Sequence, residues 1–161
     1  MHTKEEFIEQ IKENQGIIYK VARLYTNSAE DQKDVYQEIV YQLWKSYPSF
    51  KENSKFSTWM YRIALNTAIS NLNKEKRKGT QVSIDNFLLN KMDQVDTVME
   101  ERITILYAHI KRLSIVEKGI ILLHLEGKNY DEIAAITGFT KTNIGTRLGR
   151  IKQKLKSQIK K

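Results

Sequence analysis

The sequence predicts an all-α chain of two small helical domains joined by a flexible linker, and three observations carry that reading. Apolar residues recur at spacings of three and four along most of the 161 residues, only one proline (Pro48) and seven glycines interrupt them, and the charge divides into blocks. Residues 1–78 hold 13 basic and 10 acidic side chains (+3), residues 79–104 hold 2 and 5 (−3), and residues 105–161 hold 12 and 4 (+8). The acidic middle opens with Gly79-Thr80 after the basic cluster Lys74 to Lys78 and lacks a long apolar stripe, which marks it as a linker. The expected organisation is therefore a helical domain over 1–78, an acidic linker over 79–104 and a second helical domain over 105–161.

Composition excludes several classes. Hydrophobic residues make up 40% of the chain and charged residues 29%, which fits a globular protein rather than a disordered polyelectrolyte. The apolar run Ile120 to Leu123 is four residues long, far short of the ~18 needed to span a bilayer. Met1 to Gln10 alternates charges instead of building a signal core, so the expected localisation is cytoplasmic. With no cysteine there is no disulfide framework, thiolate metal site or cysteine nucleophile. The net charge of +8 points to an anionic partner, of which nucleic acid is the commonest.

Taken in order, the first helix carries Phe7, Ile8, Ile11, Ile17, Ile18, Val21 and Leu24 on one apolar stripe. The second carries Val35, Ile39, Val40, Leu43 and Trp44 and ends at Pro48, because a residue before proline is pushed out of the α region. The third turns Trp59, Met60, Ile63, Ala64 and Thr67 inward. Beyond the linker, Ser114 with Glu117 and Asn129 with Glu132 have capping-box spacing and mark two helix starts.

Tyr130 to Leu148 then has the grammar of a helix-turn-helix. A short helix holds Ile133, Ala134 and Ile136 inward, Gly138 supplies a left-handed turn, Phe139 packs, and Thr140 caps a second helix that Ile144 closes onto the core. Beyond Glu132 no acidic residue occurs, so the second helix is basic, as a helix in the DNA major groove must be. Opposite the stripe Ile144, Leu148, Ile151 and Leu155 lie Lys141, Thr142, Asn143, Thr146, Arg147 and Arg150, the candidate DNA contacts. Arginine pairs bidentately with guanine and asparagine with adenine, whereas Lys152, Lys154 and Lys156 suit phosphates. Gly145 and Gly149 cost ~1 kcal/mol each relative to alanine inside a helix; they either admit the DNA backbone closely or are simply tolerated.

Eight of the fifteen aromatics fall between positions 36 and 61, with Trp44 and Trp59 read as core. The cluster flanks a polar, basic segment, Ser49 to Lys55, and is followed by a row of Arg62, Asn66, Ser70, Asn73 and Arg77. Rings interleaved with cations and amides suit single-stranded nucleic acid, with Phe56 and Trp59 as stacking candidates. Opening a duplex loses ~1.4 kcal/mol of stacking per step, and a freed base stacked on a ring recovers ~1–3 kcal/mol, so capture of one or two bases offsets local melting. On the second helix Asp34, Gln37, Glu38 and Tyr41 share one face. As a carboxylate pair Asp34 and Glu38 lack a histidine partner, which argues against a catalytic or metal site; a solvated face and a dock for a basic partner both stay open. No residue set calls for a cofactor or a metal.

Asp34-Val35-Tyr36-Gln37-Glu38 with Leu43-Trp44, the run Phe56 to Asn66, and Tyr130-Asp131-Glu132-Ile133-Ala134 together resemble the bacterial RNA polymerase sigma factors, specifically the extracytoplasmic-function group. The resemblance covers about residues 5–78 and 105–156. It implies a region 2 bundle followed by a region 4 helix-turn-helix, and a non-enzyme that binds core polymerase at the β′ clamp helices and β flap. It implies further that Asp34, Gln37, Glu38 and Tyr41 face the clamp, that the loop at 49–55 with Arg62 and Asn66 captures the −10 element on the non-template strand, and that Lys141 to Arg150 read the −35 duplex. The linker would thread toward the RNA exit path, and melting would need no nucleotide hydrolysis. A possible anti-sigma partner, often membrane-anchored in the family, belongs to the same expectation. Ser70 departs from the acidic residue usual there, Gly145 from a lysine or arginine, and Thr142-Asn143 from Gly-Thr, so the −35 letters do not carry over. The rival expectation is a stand-alone helix-turn-helix regulator that binds duplex DNA as a dimer.

Overall fold

A computed structural model of the chain describes residues 3–51, 55–78 and 97–159, and these fall into two compact units divided near Asp93. The described residues hold helices, one 3-10 turn and no strand, as the periodicity predicts.

The first unit is built from four helices. Helix α1 (Lys4–Glu13) starts on a capping box that the sequence reading passed over: the Glu6 amide donates to Thr3 Oγ1 at 3.1 Å while the Thr3 amide reaches back to Glu6 Oε2. The single helix expected over Phe7 to Leu24 is in fact two. Asn14 leaves helical geometry (φ −117°, ψ 17°), its side-chain amide donates to the Gln10 carbonyl at 2.9 Å, and α2 (Gln15–Leu24) begins beyond it. A short amide that bonds the preceding turn offers the backbone an alternative to the helix ladder, and here that alternative wins.

Helix α3 (Ala29–Ser46) is capped by the Ser28 hydroxyl, which accepts from the Asp31 amide, and buries Val35, Ile39 and Leu43 at successive spacings of four. It stops where Pro48 predicts, though not by the predicted route. Tyr47 stays in the α region (φ −57°, ψ −41°), and Pro48 sits in the first turn of a 3-10 segment, Tyr47–Ser49, where its missing N–H has no bond to lose. Trp44, read as core, keeps 42% of its surface exposed.

Helix α4 (Phe56–Lys78) packs on α2 and α3. Its buried set is Thr58, Met60, Tyr61, Ala64, Leu65 and Ala68, so the stripe is rotated from the expected one: Trp59, Ile63 and Thr67 are only half-buried. Ala64 and Ala68 explain the rotation, because small side chains let the backbone nest against two neighbours at once.

In the second unit α5 (Thr97–Ile110) begins inside the segment read as linker. The acidic residues that gave 79–104 its charge include Glu100 in the first turn, where a carboxylate favours the positive end of the helix dipole. The stretch 79–96 lies outside the described residues. Both predicted capping boxes form, on α6 (Ile115–Leu125) and α7 (Tyr130–Thr137), with Ser114 and Asn129 accepting from the Glu117 and Glu132 amides at 3.2 and 2.8 Å. Gly127 (φ 85°) ends α6 in a Schellman arrangement, the Lys128 amide reaching the Leu123 carbonyl at 3.0 Å. Gly138 (φ 87°) makes the expected left-handed turn, and α8 (Lys141–Ile159) follows. Ile110, Ile120, Leu123, Ile133, Ile144, Leu148 and Ile151 form this unit's core, each 2% exposed or less, and Leu155 is half-buried at its edge.

Candidate functional site

Three helix faces carry the chemistry that the sequence singled out. On α3, Asp34, Gln37, Glu38 and Tyr41 are all exposed, Tyr41 by 55%, while Val35, Ile39 and Leu43 between them anchor the opposite face. Glu38 Oε1 accepts from Gln42 Nε2 at 3.2 Å. Tyr41 and Gln37 also line an apolar groove of about 340 Å³, with Lys4, Phe7 and Ile8 of α1 and with Val40 and Trp44. Ile8 is 41% exposed there, so an apolar centre adjoins the carboxylates of Asp34 and Glu38.

On α4, Arg62, Asn66 and Ser70 follow one another at spacings of four and are exposed, as predicted. The side chains of Asn73 and Arg77, which would extend that row, lie outside the described residues, as do residues 52–54 of the expected capture loop. Phe56 and Trp59 are half-buried at the start of the helix. Their rings meet each other at 5.2 Å and Phe50 at 5.4 and 5.0 Å, and both reach Tyr47 at 6.4 and 6.2 Å. The aromatic cluster is thus first of all a ring-on-ring assembly, with Tyr47, Phe50 and Tyr61 buried. Phe7 of α1 joins it against Trp44 and Tyr47, both at 5.0 Å, a contact between segments nearly forty residues apart that periodicity could not disclose. Glu6, Glu9, Gln10 and Glu13 of α1 line a 150 Å³ groove beside Phe50 and Phe56 and bring negative charge to that edge.

On α8, Lys141, Thr142, Asn143, Thr146 and Arg150 are exposed and Arg147 is half-buried. Thr140 caps the helix by accepting from the Asn143 amide at 3.1 Å. The Arg147 guanidinium lies 4.3 Å from the centre of the Phe139 ring, and its Nε donates to Asn143 Oδ1. The ring and the amide together hold Arg147 in one place before any ligand arrives. Lys141 Nζ lies 3.6 Å from Asp131 Oδ2. Lys154, read as a phosphate contact, pairs instead with Glu117 across the unit at 2.7 Å and ties α8 to the capping box of α6. The two helix glycines differ: a Cβ on Gly145 would sit 3.4 Å from the Tyr130 ring, whereas one on Gly149 would meet nothing within 4 Å. Gly145 therefore makes room for α7, a reason that neither reading from sequence contained.

Two of the unit's titratable groups respond to this packing. Burial, followed by the nearby Lys152 charge, holds His124 below its ordinary value of 6.5. Burial pushes the Glu117 carboxyl up, but the bonds from Lys154 and from the Ser114 backbone and side chain outweigh it and hold the group below 4.5.

The family model of Sigma-70 region 2 matches residues 10–78 and that of Sigma-70 region 4 matches residues 103–155. The ECF RNA polymerase sigma-E factor of Escherichia coli K12 is 30% identical over 155 residues, covering 88% of this chain and 81% of that protein. The chain belongs to the extracytoplasmic-function (ECF) sigma factors. The sigma-E factor of Haemophilus influenzae is 31% identical over 154 residues, covering 87% of this chain and 82% of the relative. Two solved structures share the fold at 18% identity. One is the sigma factor RpoE in complex with the anti-sigma factor NepR from Bartonella quintana (TM-score 0.75, 97% of this chain and 98% of that one). The other is CnrH in complex with the cytosolic domain of CnrY (TM-score 0.71, 98% and 90%). As an ECF sigma factor the protein is a DNA-binding factor of transcription initiation, and α7 with α8 is its region 4 helix-turn-helix. Among the described residues no helix is long and apolar enough to cross a membrane.

Proposed function

We propose that this ECF sigma factor docks on core RNA polymerase through the α3 face of Asp34, Gln37, Glu38 and Tyr41, and reads a bipartite promoter with its two units. The β′ clamp helices are the partner for α3 and the β flap for the second unit. Carboxylates beside an apolar groove suit a basic amphipathic helix, with the acids giving orientation and the groove giving contact area. Phe56, Trp59, Arg62, Asn66, Ser70, Asn73 and Arg77 meet the −10 element. Phe56 and Trp59 hold the edge of a stacked cluster where an unpaired base of the non-template strand extends the stack, while Arg62 and the amides follow the backbone and base edges. Lys141, Thr142, Asn143, Thr146, Arg147 and Arg150 meet the −35 duplex in the major groove. Phosphodiester chemistry stays with the core enzyme, and melting draws on captured bases rather than on nucleotide hydrolysis.

The observation that carries this reading is the separation of faces on the first unit: four polar residues of α3 exposed for a protein partner, and the Arg62, Asn66 and Ser70 row of α4 exposed for a strand. A dimeric duplex-binding regulator would leave both unused. The two structural neighbours were solved with anti-sigma partners, which supports a partner of that class here, covering the polymerase-facing surfaces. The test is transcription by active core polymerase, with this protein added, on a genomic promoter library. Specific transcripts whose start sites share two upstream elements are expected; none from an active core would refute the reading.

A further inference from the structure

A groove of about 460 Å³ runs between α3 and α4, and its described lining is Glu38 and Gln42 on one wall and Asn66, Thr67, Ser70 and Asn71 on the other. We propose that it is a pocket for an unpaired nucleobase, adenine by preference, whose edge is read by the carboxamides of Gln42 and Asn71. The volume lies within the roughly 300–1,000 Å³ of small-molecule sites. Among the described lining residues none is a cation and one is a carboxylate, a poor setting for phosphate. Three carboxamides, by contrast, each present a donor beside an acceptor, the pattern that pairs with adenine N6 and N7.

The polar groups are also oriented. Gln42 Nε2 donates to Glu38 Oε1 at 3.2 Å, which fixes the plane of the Gln42 amide. Thr67 Oγ1 donates to the Ile63 carbonyl at 2.7 Å, so toward the groove its oxygen is an acceptor. Gln42 and Asn71 are half-buried, set deeper than the exposed Asn66 and Ser70 at the rim. A base inside a duplex offers only one edge at the bottom of a DNA groove, whereas a concavity with polar groups on both walls suits a base turned out of the stack. Asn66 and Ser70 are shared with the −10 row, which puts a displaced strand at the rim; the proposal rests on that reading. It also gives Glu38 a second task, since the carboxylate on the polymerase-facing helix orients a base-reading amide.

The experiment uses the full-length protein with core polymerase on promoters already opened across the −10 region, with the non-template strand randomised there. The wild-type protein should enrich adenine at one position. Gln42→Ala and Asn71→Ala should each flatten that enrichment by about tenfold and leave the other positions alone. Asn71→Asp, which offers only acceptors, should shift the preference toward cytosine, whose exocyclic amine donates. Unchanged base preferences in both alanine variants, or an even loss over all sequences, would overturn the pocket while the promoter reading stands. A wild-type protein that initiates nowhere would overturn the promoter reading and the pocket with it.

Discussion

Gly149 stands in the middle of the recognition helix with open space where a side chain would go, and that arrangement makes a single methyl group informative. Gly149→Ala should raise stability by about 0.5–1 kcal/mol, because the helix no longer carries glycine's backbone freedom. If the DNA backbone approaches that position, affinity for a −35 duplex falls while stability rises; thermal unfolding and duplex titration of the one variant separate the two effects. Arg147 and Arg150 should also part company. Arg147→Ala removes a side chain already held by Phe139 and Asn143 and should cost base discrimination of about 1–3 kcal/mol, read by competition between wild-type and altered −35 duplexes. His124 and Glu117 set the acid limit of the second unit. His124 is held neutral in the fold, so its contribution is complete above about pH 6.5 and falls as the pH drops toward its lower folded value, where the unfolded chain takes up the proton more readily. Glu117, held below 4.5, adds a further loss at more acid pH. His124→Gln should flatten the first decline in melting temperature between pH 7 and pH 5.5, and Lys154→Ala the second.

At the scale of elements, Leu43 is fully buried on the face of α3 opposite Asp34 and Glu38. Leu43→Ala should destabilise the first unit by about 2–5 kcal/mol in denaturant titration. Asp34→Lys and Glu38→Lys should leave stability nearly unchanged, weaken core polymerase binding tenfold or more, and spare −35 duplex affinity. Much of this was legible in the sequence, because capping boxes, a glycine turn and the α3 face are local patterns that residues three and four apart write directly. The α5 start, the break at Asn14 and the rotated stripe of α4 were not. In each, a local property was outweighed by something periodicity does not count: a dipole that welcomes acids, an amide that bonds its own backbone, and alanines whose value depends on two neighbouring helices. The candidate site divides in the same way. Its exposed rows were readable, but the groove of Gln42 and Asn71 required two helices to be brought together first.

Over the whole molecule, charge is the property that unites the scales. The +8 of residues 105–161 predicts that binding of a −35 duplex falls with salt, and about six phosphate contacts give a log–log slope near −5. Lys154, engaged by Glu117, should contribute little to that slope, so Lys154→Ala should leave it within about one unit of the wild type. The chain's two tryptophans, Trp44 and Trp59, both lie in the first unit. Indole emission is consequently a built-in, label-free reporter for one half of the protein. Trp44, partly exposed next to Tyr41, would respond by colour to a polymerase helix, and Trp59, at the edge of its ring stack, would dim when a base joins that stack. The order of docking and strand capture could then be timed in a stopped-flow mixer from the unmodified protein.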